Sequence, residues 1–268
     1  MYFVTSPVLA ASSAEKDPYG DLRIKEQSFI AYLRIPEGQG PFPVIILSPG
    51  KGGLESYYHE WSIRFLDWGF ASIGLDHYTP RGYGYKAPKG IPSTSNNLKI
   101  SQSDIVATLK IIKENPALDT SRITTAGWSA GTGFVLSALL DKKYKKKARI
   151  TEPFKSAVLF YPYSYACNKS AKLPGGKMNV PLILLIGTED KGLTVCWAKK
   201  VKRIKSKDHT LVMKVYEGAY HAFDGNIPAF KVSKPVCRPP NNLCFKYDEA
   251  TLKKSINDLK TFLNKYSR

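Results

Sequence analysis

The sequence predicts an α/β fold in which a mostly parallel central sheet is covered by helices on both faces. Three observations carry this. Runs such as residues 43–47 (PVIIL) and 182–186 (LILLI) are apolar throughout, as strands buried on both faces must be. These runs alternate along the chain with segments of helical period, the pattern of strand–helix–strand units. No linker or repeat interrupts the alternation, so residues 15–268 read as one domain.

The elements follow in order. Residues 22–35 alternate as β-structure and end in a Pro/Gly turn at 36–41. The strand at 43–47 runs into a glycine-rich loop, Ser48-Pro49-Gly50-Lys51-Gly52-Gly53. Residues 55–68 form a helix with Trp61, Phe65 and Trp68 on one face, stopped by Gly69. A strand at 70–75 leads to Asp76-His77-Tyr78-Thr79-Pro80-Arg81-Gly82. The polar loop 83–97 is long enough to serve function, and its expected place is over the pocket mouth. Residues 98–114 are helical, with Ile105, Leu109 and Ile112 on one face, and Asn115-Pro116 ends them. A strand at 122–126, a tight turn and a helix of small and apolar residues to Leu140 come next. Strands at 156–161, 182–186 and 211–216 surround a helix at 193–205. The last helix, 247–266, carries Leu252, Ile256, Leu259 and Leu263 in register.

Chemistry concentrates at Gly127-Trp128-Ser129-Ala130-Gly131, a G-x-S-x-G between strand and helix. The pentapeptide alone arises by chance in about one chain in ten of this length. Its context is more specific. A serine hydroxyl needs a base, and the base needs an orienting group. Of four histidines, His59 lies in a helix and His209 in a charged loop. His77 follows a strand, and His221 follows the last strand in Glu217-Gly218-Ala219-Tyr220-His221-Ala222-Phe223. Loops after parallel strands share one rim of the sheet, so His221 is the best base. The acid falls between serine and histidine in Gly187-Thr188-Glu189-Asp190, with Asp190 ahead of Glu189. Asp224, three residues beyond His221, is the weaker candidate. Two donors are expected for a developing oxyanion: the backbone N–H of Ala130 and that of Lys51.

Composition bounds the partners. With 40 Lys plus Arg against 22 Asp plus Glu, the net charge is +18. It reads first as a solubilising surface, and more sharply as attraction to anionic substrates or an anionic envelope. No nucleic-acid fold motif accompanies it, so no specific nucleic-acid partner is expected. The dense run at 142–147 (KKYKKK) suits the end of the preceding helix. Residues 1–14 read as a signal-peptide remnant or a flexible arm: an apolar stretch is followed by the small residues Ser12, Ser13 and Ala14, with no cation ahead of it. No other stretch reaches 18 apolar residues, so no transmembrane span is expected. The four cysteines, Cys167, Cys196, Cys237 and Cys244, lack metal-site spacing, and neither metal nor organic cofactor is called for. Cys237 and Cys244 flank a turn-rich hexapeptide and suit a local disulfide. An exported, periplasmic or secreted protein is the expectation, against a cytoplasmic one with four reduced thiols.

These residues resemble the dienelactone hydrolase family of the α/β-hydrolase fold. The similarity runs over about residues 44–223, through the serine turn, the acid loop ending in Asp190, and the histidine loop Tyr216–Asp224 (YEGAYHAFD), its most specific piece. It implies hydrolysis of a carboxylester or lactone through an acyl-enzyme on Ser129, with a small-molecule substrate. It also implies that Arg81, in the loop after a core strand, binds a substrate anion; bracing of that loop is the alternative. Relatives that look exported imply a Cys167–Cys196 disulfide beside the acid loop. Two departures stand out. Founding members use a cysteine where this chain has Ser129, and carry a glutamate in the loop that here holds no carboxylate. Acyl transfer to another nucleophile, or a non-catalytic basic binding protein on the same scaffold, are the alternatives.

Overall fold

Nine strands form one sheet in the computed structural model, which describes residues 14–16, 22–25, 29–82, 95–140, 146, 154–162, 178–190, 193–204, 210–238 and 243–268. In chain order the elements are β1 (Ala14–Lys16), β2 (Leu22–Lys25), β3 (Ile30–Arg34), β4 (Phe42–Ser48), α1 (Ser56–Asp67), β5 (Ala71–Asp76), α2 (Ser95–Glu114), β6 (Leu118–Trp128) and α3 (Gly131–Leu140). Then come β7 (Phe154–Phe160), β8 (Leu182–Gly187), α4 (Leu193–Ile204), β9 (Leu211–Tyr216), β10 (Val236–Arg238), β11 (Leu243–Phe245) and α5 (Glu249–Tyr266). The spatial order is β1-β2-β3-β5-β4-β6-β7-β8-β9. From β5 to β9 neighbouring strands are parallel, while β1, β2 and β3 pair antiparallel.

The period-2 alternation of side chains explains the two layers. In β4, Val44 and Ile46 face a core built with Ile105, Ile112, Phe134 and Leu136 from α2 and α3. Ile45 and Leu47 face the other core, with Trp61 and Phe65 of α1 and Leu259 and Leu263 of α5. Both faces of the central strands are therefore covered, which is why their sequences carry no polar alternation. Burying each such side chain contributes roughly 1.5–3 kcal/mol. Helix α5 is started by Asp248, whose side chain accepts the Thr251 N–H at 2.6 Å.

The site's place follows from the topology. The chain leaves β4 for β5 on one side, then returns to β6 on the other. The loops after β4 and β6 therefore diverge from adjacent strands, and such a switch point opens a crevice at the carboxyl ends. The register Ser48↔Gly127 sets those two ends level. Strand β6 begins at Leu118, four residues ahead of the sequence expectation, because Leu118 pairs with Phe42 across an irregular step. The hairpin of β10 and β11 was not expected from the sequence at all. Among the described residues no helix is long and apolar enough to cross a membrane. Residues 83–94 of the polar loop, all of the run at 142–147 except Lys146, and residues 1–13 lie outside the described residues.

Candidate active site

Ser129 leaves β6 with φ at +50°, a left-handed backbone that a non-glycine residue adopts only when its surroundings force it. The surroundings are specific. A Cβ on Gly127 would lie 2.7 Å from the Gly131 carbonyl oxygen, and a Cβ on Gly131 would overlap the Ser48 carbonyl oxygen. Glycine at both positions lets the strand end, the turn and the first turn of α3 close on the β4 loop. The Ser129 N–H donates to the Phe160 carbonyl at 3.0 Å, which ties the turn to β7.

The serine Oγ lies 2.7 Å from His221 Nε2. His221 Nδ1 faces both oxygens of Asp190 at 3.1 Å. Asp190 and His221 are fully buried, and Ser129 is half-buried. This pairing selects one tautomer: Nδ1–H donates to Asp190, and Nε2 accepts from the serine hydroxyl. Gly187 allows the acid and histidine loops to touch, since a Cβ there would run into the Ala219 carbonyl. The loops are knitted by Glu189 N–H to Ala219 O at 3.0 Å and Gly218 N–H to Thr188 Oγ1 at 2.9 Å. The structure thus brings together Ser129, His221 and Asp190, with Asp190 rather than Glu189 or Asp224 at the imidazole.

The Ala130 N–H makes no hydrogen bond among the described residues. Beside it, Gly50 approaches closely enough that a Cβ would stand 3.3 Å from Ser129 Cβ. The Gly50 N–H donates to the Tyr58 hydroxyl at 2.8 Å. Lys51 follows in the same turn, exposed, so the β4 loop is pinned from below at Gly50 beside the serine.

Arg81, expected either to bind a substrate anion or to brace its loop, lies just after β5. Its guanidinium donates to both oxygens of Asp104, at 2.7 and 2.9 Å, and to the His77 carbonyl at 2.6 Å. His77 Nδ1 is 2.7 Å from the same carboxylate. These bonds brace the loop after β5, the alternative role expected for Arg81. Burial alone would raise the Asp104 carboxyl, but hydrogen bonds from His77 and Arg81 outweigh it and hold the group below the usual range. His59 is likewise structural, bonded to Arg34 at 3.1 Å, and His209 lies outside the described residues.

Sequence reasoning weighed Asp224 only as an acid for His221. It is buried and accepts three hydrogen bonds: Trp61 Nε1 at 2.8 Å, Trp128 Nε1 at 2.9 Å and Tyr161 Oη at 2.5 Å. Burial raises its pKa, although those donors act the other way. Trp128 immediately precedes the nucleophile, and the Tyr161 ring packs 4.6 Å from the His221 ring. The indole and phenol donors were the available signal, hidden because Trp61 read as part of an apolar helix face and Trp128 as a free position of the serine motif. The Cys237–Cys244 disulfide is present. Cys196 is also disulfide-bonded, and its expected partner Cys167 lies outside the described residues.

Comparison with known proteins places the chain in a family. The sequence profile of the dienelactone hydrolase family matches residues 29–267. A Bradyrhizobium protein named as a probable 2-oxo-3-(5-oxofuran-2-ylidene)propanoate lactonase is 22% identical over 221 residues, covering 76% of this chain and 82% of that protein. Among solved structures, the dienelactone hydrolase of Anabaena variabilis superposes with a TM-score of 0.63 at 14% identity, covering 90% of this chain and 93% of the other. Esterase 2 of Thermogutta terrifontis, phosphorylated by paraoxon, gives 0.62 at 15% identity, with 88% of each chain covered. These structures share the fold, and the profile match extends from β3 to the end of α5: the chain belongs to the dienelactone hydrolase family.

Proposed function

We propose that this protein is a serine hydrolase that cleaves a carboxylester or lactone through an acyl-enzyme on Ser129. Family membership supports a hydrolase acting on ester bonds. The observation that carries the serine mechanism is the 2.7 Å contact between Ser129 Oγ and His221 Nε2, with Asp190 on the far side of the ring.

In this reading His221 Nε2 takes the serine proton as Oγ bonds to the carbonyl carbon. The carbonyl oxygen gains negative charge beside the Ala130 and Lys51 N–H groups. Collapse breaks the bond to the alkoxy oxygen, which receives the proton from Nε2. For a lactone the leaving oxygen stays tethered to the acyl chain. Water then repeats the sequence, giving up a proton to His221 and releasing the carboxylate. Asp190 holds the tautomer and stabilises the imidazolium without itself being protonated.

The net charge of +18 favours anionic substrates, and the lactone named for the Bradyrhizobium relative is itself a carboxylate. The two sulfur crosslinks support export into an oxidising compartment. Turnover of short activated esters by Ser129→Ala tests the mechanism: a loss of at least about 10⁴-fold with an unchanged fold is expected. Turnover at the wild-type level would exclude it.

A further inference from the structure

The imidazole of His221 lies between two aromatic rings. Tyr161 packs on it at 4.6 Å and Phe245 at 5.1 Å, both edge-on. Phe245 belongs to β11, and the main chain of that strand also grips the histidine. The His221 N–H donates to the Cys244 carbonyl at 3.1 Å, and the Lys246 N–H donates to the His221 carbonyl at 3.3 Å. These two bonds make a parallel bridge between His221 and Phe245. Phe245 is itself backed by Phe230, stacked at 5.4 Å, and by the Arg238 guanidinium at 4.9 Å.

What holds β11 there is the question. Among the described residues its strand partner is β10, with the pairs Val236↔Phe245, Cys237↔Cys244 and Arg238↔Leu243. Two strands of three residues, standing apart from the main sheet, are too short to be stable alone. The Cys237–Cys244 disulfide joins the central pair. Cys237 is exposed and Cys244 half-buried, whereas His221 is fully buried, so the crosslinked pair lies nearer the surface than the base.

We propose that the Cys237–Cys244 hairpin, acting through Phe245, is a positioning clamp on the base, and that reducing its disulfide slackens the clamp and lowers turnover. This rests on the reading of His221 as the general base. The redox step is an exchange with a dithiol. Two electrons and two protons pass to the protein, the S–S bond becomes two thiols, and the dithiol leaves as its cyclic disulfide. Phe245 never touches the substrate; it acts by fixing where Nε2 points. Misplacement of a reacting group by about 1 Å costs on the order of 100-fold.

The test compares the full chain with Cys237→Ser/Cys244→Ser, Phe245→Leu and Phe245→Tyr on an activated ester. Cys237→Ser/Cys244→Ser is expected to lose about 10- to 100-fold in kcat with KM within about twofold, and to label more slowly with a fluorophosphonate. Phe245→Leu keeps the crosslink and most of the apolar volume, and falls in the same direction. Phe245→Tyr restores most of kcat. Dithiothreitol lowers wild-type kcat reversibly and leaves the double-serine variant unchanged. Wild-type kcat in either Cys237→Ser/Cys244→Ser or Phe245→Leu overturns the clamp, whatever the melting temperature. So does an equal loss on reduction in the double-serine variant, which would assign the effect to the disulfide of Cys196. Ser129→Ala separates the two claims: if it still turns over, the reading of the site fails; if it is inactive while the hairpin variants match wild type, only the clamp fails.

Discussion

At the residue scale, Asp224 accepts hydrogen bonds from three side chains among the described residues, where His221 bonds to two. Its carboxylate joins α1 through Trp61, the nucleophile strand through Trp128 and the end of β7 through Tyr161. Asp224→Ala would strand two indole N–H groups and a phenol O–H without an acceptor. Each such buried donor costs about 1–3 kcal/mol. The variant is therefore expected to lose at least about 3 kcal/mol in denaturant unfolding, and a loss within experimental error would refute the network's importance. Asp104 makes a separate prediction about pH. Its folded pKa is depressed, so its contribution is present above the unfolded value of about 4 and is lost as pH falls through the folded value. Melting temperature followed from pH 6 to pH 2 should fall less steeply below about pH 4 in Asp104→Asn than in wild type. Equal slopes would mean that Asp104 does not carry acid sensitivity.

At the element scale, the nucleophile turn depends on what its glycines leave out. Gly131→Ala would push a methyl group into the Ser48 carbonyl, a backbone atom that cannot swing aside. The β4 loop would have to retreat from Ser129, taking the Lys51 amide with it. A stability cost of about 1–3 kcal/mol and a fall in kcat are expected together. Unchanged kinetics in Gly131→Ala would show that the close approach is dispensable. The elements that the sequence made legible are those whose burial writes itself into the pattern. Strands β4 and β8 are apolar on both faces because both faces are covered. Ser129 and Asp190 could be located because each follows a strand whose end is fully buried, and His221 because it follows the last strand of the alternation, β9, which is only partly buried. Hidden elements were short or held from a distance. Three-residue strands such as β10 and β11 carry too few side chains for a period. The first residues of β6, Leu118 to Ser121, are strand because of Phe42, about 76 positions away. The partner of Arg81 was hidden for the same reason: Asp104 sits 23 positions on, in α2.

At the scale of the whole molecule, the switch between β5 and β6 opens the crevice and the chain carries a net charge of +18. A positive field raises the encounter rate of anions and is screened by salt. Over a panel of esters, kcat/KM for carboxylate-bearing substrates should fall with added salt more than kcat/KM for neutral ones. Parallel salt responses would reduce the charge to a solubility feature. The central claim concerns a covalent bond, and it is tested most directly by seeing that bond. Wild-type protein mixed with an activated ester, acid-quenched within a turnover and digested, should carry the acyl mass on the peptide that contains Ser129. An acyl adduct formed at the rate of turnover on any other residue would contradict an acyl-enzyme on Ser129.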